Sequence, residues 1–128
     1  GAGFKQVVAP KATVNVTGCR SYFRYKFVGC AQGRIDLGSL PHGAKAVSWN
    51  ECEMACSNEA KCEQVVYDNA TRECWGYSMA LMQDTDRLGG SNDNYNSALC
   101  HQAADFAKMQ EELEVKLIKS GDQAPCDE

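Results

Sequence analysis

Eight cysteines, at positions 19, 30, 52, 56, 62, 74, 100 and 126 of a 128-residue chain, constrain this sequence more than any other feature. They are even in number and scattered along the chain. In a reducing cytosol eight thiols are a liability, whereas in a secretory compartment they become a covalent framework. Spacing alone leaves roughly a hundred connectivities open. The length fits one domain, large enough to build a hydrophobic core of its own.

Two tripeptides, Asn15-Val16-Thr17 and Asn69-Ala70-Thr71, are acceptor sequences for N-glycosylation and point to the same secreted or extracellular-surface setting. The N-terminus lacks a basic segment followed by an apolar run, so the chain reads as a mature or excised piece, with Gly1-Ala2-Gly3 a partly foreign start. No apolar run approaches the ~20 residues of a membrane span, and no direct membrane insertion is expected.

Net charge is −4, but its distribution says more. Residues 1–47 carry Lys5, Lys11, Arg20, Arg24, Lys26, Arg34 and Lys45 against Asp36 alone, a net of +6. Residues 48–128 carry six basic and sixteen acidic side chains, a net of −10. The two halves are expected to pack together and neutralise each other. Left unneutralised, the first would attract a sulfated glycan or an acidic partner.

Along the chain, residues 1–18 read as an extended arm, with Pro10 breaking any helix. Residues 21–28 (SYFRYKFV) alternate as a half-buried strand does. Phe23, Tyr25 and Phe27 are expected in the core, and Tyr22, Arg24 and Lys26 in solvent. Residues 29–47 read as loops with a short strand. Ser48-Trp49-Asn50-Glu51 matches a capping box and starts a helix over about 49–58, on which Cys52 and Cys56, four apart, share an inward face. Residues 63–67 read as a strand, 68–71 as a turn and 72–77 as the return strand. Residues 83–97, with Gly89-Gly90-Ser91-Asn92-Asp93-Asn94, read as a long surface loop, and 96–100 as a closing strand. A second helix is expected over His101–Lys119, with Phe106, Leu113 and Leu117 in an apolar line beside Ala103 and Ala107. Gly121 and Pro125 stop it.

The run Cys52-Glu53-Met54-Ala55-Cys56, then Cys62, Val65-Val66-Tyr67 and Cys74-Trp75, resembles the core of a PAN/apple domain. The likeness is closest over 48–78 and extends more loosely over 19–100. It implies an α+β, disulfide-rich fold: a short antiparallel sheet with one helix packed across it, to which the C-terminal helix is added. The domain would cover 19–100, after an arm at 1–18, with the helix and cysteine-stapled tail of 101–128 packed on it. The resemblance also implies bridges Cys52–Cys74 and Cys56–Cys62. An outer bridge would join Cys30, in preference to Cys19, to Cys100, leaving Cys126 to take the remaining cysteine.

Chemistry beyond binding finds little footing. His42 sits in a Pro-Gly loop and His101 at a helix start, neither in a nucleophile or metal motif, and no serine has the context of a nucleophile elbow. The twelve-residue gap between Cys62 and Cys74 suits a zinc knuckle poorly. No enzyme activity, cofactor, metal or nucleic-acid partner is expected. The resemblance implies recognition of a protein partner, such as a receptor or co-adhesin, within a larger secreted or surface protein such as an adhesin. The helix 101–119 and the loop 83–97 are further places where a partner could sit. A glycan-binding module is the alternative, with Tyr22, Arg24 and Lys26, joined by Arg20 and Arg34, as the oxyanion-binding set. A standalone secreted effector or inhibitor is the third reading.

Overall fold

In a computed structural model, residues 11–80 and 90–113 are described. Eight elements follow one another: β1 (Thr13–Val14), β2 (Arg20–Lys26), β3 (Arg34–Ile35), α1 (Trp49–Asn58), β4 (Gln64–Asp68), β5 (Glu73–Tyr77), β6 (Gly90–Leu99) and α2 (His101–Glu112), with a single 3-10 turn at Ala31–Gly33 before β3. The strands form one antiparallel sheet in the order β1-β2-β6-β4-β5-β3.

Helix α1 has the bounds its capping box predicts. The Ser48 hydroxyl accepts the Glu51 N–H at 3.1 Å, and the helix closes where the Glu59 N–H reaches the carbonyls of Ala55 and Cys56. Cys52 and Cys56 are fully buried and bridge to Cys74 on β5 and to Cys62 just before β4. These bridges fasten α1 across the sheet, over a core of Val65, Tyr67, Ala98, Val47 and Leu37. Because successive strand residues point to opposite faces, Leu99 belongs to a second core on the other side, with Tyr22, Tyr25, Phe27, Ala80, Ala103 and Ala107 under α2.

In β2, Tyr22 is buried and Phe23 is 47% exposed, the reverse of the strict alternation expected from the sequence. Pairing with β6 shifts between Phe23 and Tyr25, and Arg24 takes a left-handed backbone (φ 56°). Across this break β2 advances two residues and β6 five, from Asn96 to Ser91, so the surplus of the β-bulge lies on β6 and the left-handed Arg24 turns β2 over. It lets Tyr22 before it and Tyr25 and Phe27 after it share one face, and Tyr22 and Tyr25 both stack edge-on against Phe27, with centroids 4.9 and 5.3 Å away. Phe23 is left on the α1 side, edge-on to Trp49 at 6.0 Å.

The loop expected over 83–97 is corrected as well. From Gly90 onward the chain is a ten-residue strand between β2 and β4, with Tyr95, Asn96 and Ser97 in register with Asp68, Tyr67 and Val66. Pairing with β2 at Gly90–Ser91, and with both β2 and β4 from Asn96 on, overrides the poor strand propensity of Gly90 and Asn96. Residues 83–89 lie outside the described residues.

Helix α2 buries Ala103, Ala104, Ala107 and Gln110, while Phe106 is half-buried and Leu113, just past its end, is 64% exposed. Its inward face is therefore a small-residue stripe with Phe106 packed beside it, and of the expected apolar line Leu113 is left exposed. The rest of the helix expected to reach Lys119, Leu117 included, lies outside the described residues, as does the arm before Lys11. The start of α2 is held by Glu63, whose Oε2 accepts the Ala103 N–H at 2.8 Å. Nδ1 and Nε2 of His101 face the carbonyls of Cys62 and Ser57 at 2.6 and 3.0 Å. The basic and acidic halves meet where Arg20 pairs with Glu111.

Candidate functional site

The disulfide framework fixes which surfaces remain for binding. The outer bridge is Cys19–Cys100, not the Cys30–Cys100 pair favoured from the sequence. The ladder explains it. Arg20 is in register with Leu99, so Cys19 and Cys100 are neighbours at one end of β2 and β6, while Cys30 follows the other end of β2, where Lys26 pairs with Gly90. The seven residues of β2 separate these ends by about 20 Å. Cys30 is itself disulfide-bonded. Cys126 lies outside the described residues. With Cys52, Cys56, Cys62 and Cys74 in disulfides, these four supply no thiolates to zinc, and among the described residues no cluster of three or more His, Cys, Asp or Glu could hold a metal. Cys100 is likewise bridged, so Cys100-His101 is not a thiol–imidazole pair.

The cationic set proposed for an oxyanion is not brought together. Tyr22 is fully buried, and its hydroxyl is pushed up to about 12 by burial, with Glu111 adding to the rise and Arg20 opposing it. Arg20 is buried in its pair with Glu111. Arg24 is exposed on the bulge, where its backbone N–H donates to Asn96 Oδ1 at 3.2 Å. Arg34 lies on β3, four strands from β2, which is about 19 Å at ordinary strand spacing. Lys26 is exposed, its Nζ 4.3 Å from the centre of the Tyr95 ring.

Two concave surfaces stand out instead. The first is a groove of about 350 Å³ between α1 and the turn at 37–40. Glu51, Met54, Ala55, Asn58 and Glu59 border it from the helix side. Their spacing is the i, i+3, i+4, i+7, i+8 stripe of a helix, set away from the bridged cysteines. The facing wall is Leu37, Gly38, Ser39 and Leu40, a tight turn in which Leu37 and Leu40 exchange backbone hydrogen bonds at 2.7 and 3.0 Å around Gly38 (φ 60°). Leu37 is anchored over Gly76, where a Cβ would lie 2.6 Å from Leu37 Cδ2. The groove's middle is apolar, with Met54 half exposed above Leu37, Leu40 and Ala55, and a carboxylate stands towards each end, on Glu51 and Glu59. Eight residues of helix give it a length of about 12 Å.

The second is a hollow of about 160 Å³ on the sheet face away from α1, lined by Lys26, Phe27, Gly29, Val66, Trp75, Tyr77 and Tyr95. Trp75 and Tyr77, two apart on β5, share that face. The Tyr77 ring lies on Gly29 so closely that a Cβ there would be 2.0 Å from its Cζ, and His42 packs edge-on to it at 5.2 Å. Burial raises the Tyr77 hydroxyl above its ordinary value, with Arg34 acting in the other direction.

Sequence reading named neither surface as a site. The helix stripe was open to it, since Cys52 and Cys56 define the buried face beside it, as was the Trp75–Tyr77 pair. Tyr95 was not, because its segment was read as a loop. Of the acceptor asparagines, Asn15 is half-buried against α1 and Asn69 is exposed on the β4–β5 turn.

No curated protein matches this chain, and no solved structure matches it. The family model of the PAN domain matches residues 35–103, more than half of the chain, from β3 through the start of α2. That span holds α1, the β4–β5 hairpin and both of their bridges, and the chain belongs to the PAN domain family.

Proposed function

We propose that this chain is an extracellular recognition module that binds a protein partner in the groove between α1 and the 37–40 turn. PAN domains are typically extracellular modules that bind protein or carbohydrate, and the family is not catalytic. Among the described residues no helix is long and apolar enough to cross a membrane. The observation that carries the reading is the groove's shape and charge: an elongated apolar floor with an acidic side chain towards each end. About 12 Å of groove accepts three or four residues of extended chain, at roughly 3.3 Å each. The matching segment has an apolar side chain to cover Met54 and a Lys or Arg on either side to meet Glu51 and Glu59. Methionine suits such a surface, because its unbranched side chain adapts to different occupants. Recognition by a receptor or co-adhesin, within a larger surface protein, is the setting that fits the disulfide framework.

Panning a random peptide library on the oxidised protein tests this. Enrichment of a basic–apolar–basic motif, lost when Met54→Lys replaces the wild type as bait, supports the groove. Enrichment that survives Met54→Lys, or no enrichment at all, counts against it.

A specific observation favours a second reading, carbohydrate binding in the hollow. Four aromatic rings and the Lys26 ammonium surround a space that fits one sugar-sized ring, combining apolar faces with the polar tips of Trp75, Tyr77 and Tyr95. A glycan array probed with wild type and Trp75→Ala tests it: sugar binding lost in the variant supports the hollow, and silence across the array counts against it.

A further inference from the structure

The geometry points to Asn69 as an N-glycosylated residue and to Asn15, although it lies in an equally good acceptor sequence, as an unmodified one. The two asparagines do different things in the fold. Asn15 Nδ2 approaches Glu53 Oε1 at 3.0 Å, Glu53 Oε2 at 3.3 Å and Ser21 Oγ at 3.3 Å. Thr17, the hydroxyl residue of the same tripeptide, donates to Glu53 Oε1 at 2.7 Å, and its carbonyl accepts the Ser57 hydroxyl at 3.0 Å. Glu53 is 2% exposed. The tripeptide is thus the clasp that fastens β1 and the start of β2 to α1. Both amide hydrogens of Asn15 face this clasp, and replacing one with a sugar carbon would force the chain off Glu53. A buried carboxylate would then lose its donors, at a cost that folding does not readily bear.

Asn69 is exposed at the tip of the β4–β5 hairpin, and so is Thr71. The turn is held by other groups: Asp68 Oδ1 accepts the N–H of Ala70 at 2.8 Å and of Thr71 at 3.2 Å. Asn69 Nδ2 makes one contact, to Asn96 Oδ1 at 3.3 Å, and Asn69 Oδ1 accepts from Asn96 Nδ2 at 3.4 Å. A glycosylated asparagine keeps its carbonyl oxygen, so the bond accepted from Asn96 Nδ2 survives modification, and the single donation that is lost sits on an exposed side chain where water replaces it. A second observation points the same way. Phe23, in register with Asn96 on the next strand, is 47% exposed and packs edge-on to the half-buried Trp49. An exposed aromatic pair thus lies about two strand spacings, ~10 Å, from the acceptor. Sugars on Asn69 would cover it, and their faces suit aromatic rings.

In the transfer, Asn69 Nδ2 loses a proton and bonds to C1 of an oligosaccharide carried on a lipid diphosphate. The C1–O bond breaks, and the lipid diphosphate leaves with its electron pair. The test is to secrete the whole chain from cultured eukaryotic cells and release the glycans with a peptide amidase in ¹⁸O-water, which marks each formerly occupied asparagine as labelled aspartate. The label is expected at Asn69 in excess over Asn15 by at least about tenfold. Asn69→Gln should abolish the glycan mass on the secreted protein. Comparable labelling at Asn15, or an unmodified Asn69, overturns the assignment.

Discussion

Glu53 is the side chain on which the attachment of the N-terminal strands most depends. Its carboxylate is buried on α1 and takes hydrogen bonds from Asn15, Thr17 and Ser21, all neutral donors. A hydrogen bond to a charged acceptor contributes about 1.5–3 kcal/mol net. In Glu53→Ala the half-exposed Asn15 and Thr17 recover much of this from water, whereas the fully buried Ser21 does not. Removing the carboxylate also relieves the desolvation of a charge that has no cation among these three partners. The balance leaves a destabilisation of about 3 kcal/mol. With a guanidinium slope of about 3 kcal/mol per M, the unfolding midpoint falls by about 1 M. Equilibrium unfolding of the oxidised protein, followed by tryptophan fluorescence, reads this directly. Asn15→Ala combined with Glu53→Ala should cost less than the sum of the two single changes, because the partners share one interaction. A midpoint for Glu53→Ala within about 0.2 M of wild type would refute the clasp.

Three further predictions follow from separate parts of the fold. Replacing Cys19 and Cys100 with Ser opens a span of 81 residues, against 6 for Cys56 and Cys62; treated as isolated loops these are worth about 4.5 and 2.2 kcal/mol, so the first pair should lower the midpoint more. Tyr22 has its hydroxyl raised to about 12 from 10.0, first by burial and then by Glu111. Its contribution to stability is therefore complete below pH 10.0 and is lost as pH rises through about 12; Tyr22→Phe should flatten the fall in stability over that window, and an unchanged alkaline profile would contradict its burial. Gly29→Ala places a methyl group against the Tyr77 ring. It should cost about 1–3 kcal/mol in thermal unfolding and shift the near-ultraviolet circular dichroism of the hollow's rings, while leaving the groove's peptide binding in place.

Much of the α1 side of the molecule could be read locally. Ser48 and Glu51 cap the helix through contacts three residues apart, Cys52 and Cys56 define its inner face, and the hairpin between Gln64 and Tyr77 closes through a turn of suitable composition. Other features depend on partners distant in sequence. The break at Arg24 exists because β2 must meet a longer β6, and its left-handed backbone there sends Tyr22 to the core and Phe23 to the surface. The strand character of Gly90 and Ser91 comes from pairing with Lys26 and Tyr25, not from their own composition. The choice of Cys19 over Cys30 follows from the same ladder, as does the loss of Arg20 and Tyr22 from the surface. The groove lay between these cases: its helix stripe was periodic in the sequence, but its second wall required knowing that Leu37 folds back over Gly76.

The groove is tested most directly by mapping where a bound peptide sits. Titrating ¹⁵N-labelled protein with a basic–apolar–basic peptide selected by panning should perturb the amide resonances of residues 37–40 and 51–59 at one common affinity. The same titration on Glu51→Lys/Glu59→Lys should show that affinity weakened by about tenfold or more, the equivalent of ~1.4 kcal/mol. Perturbations gathered at Lys26, Trp75, Tyr77 and Tyr95, with the groove silent, would contradict the groove and move recognition to the opposite face.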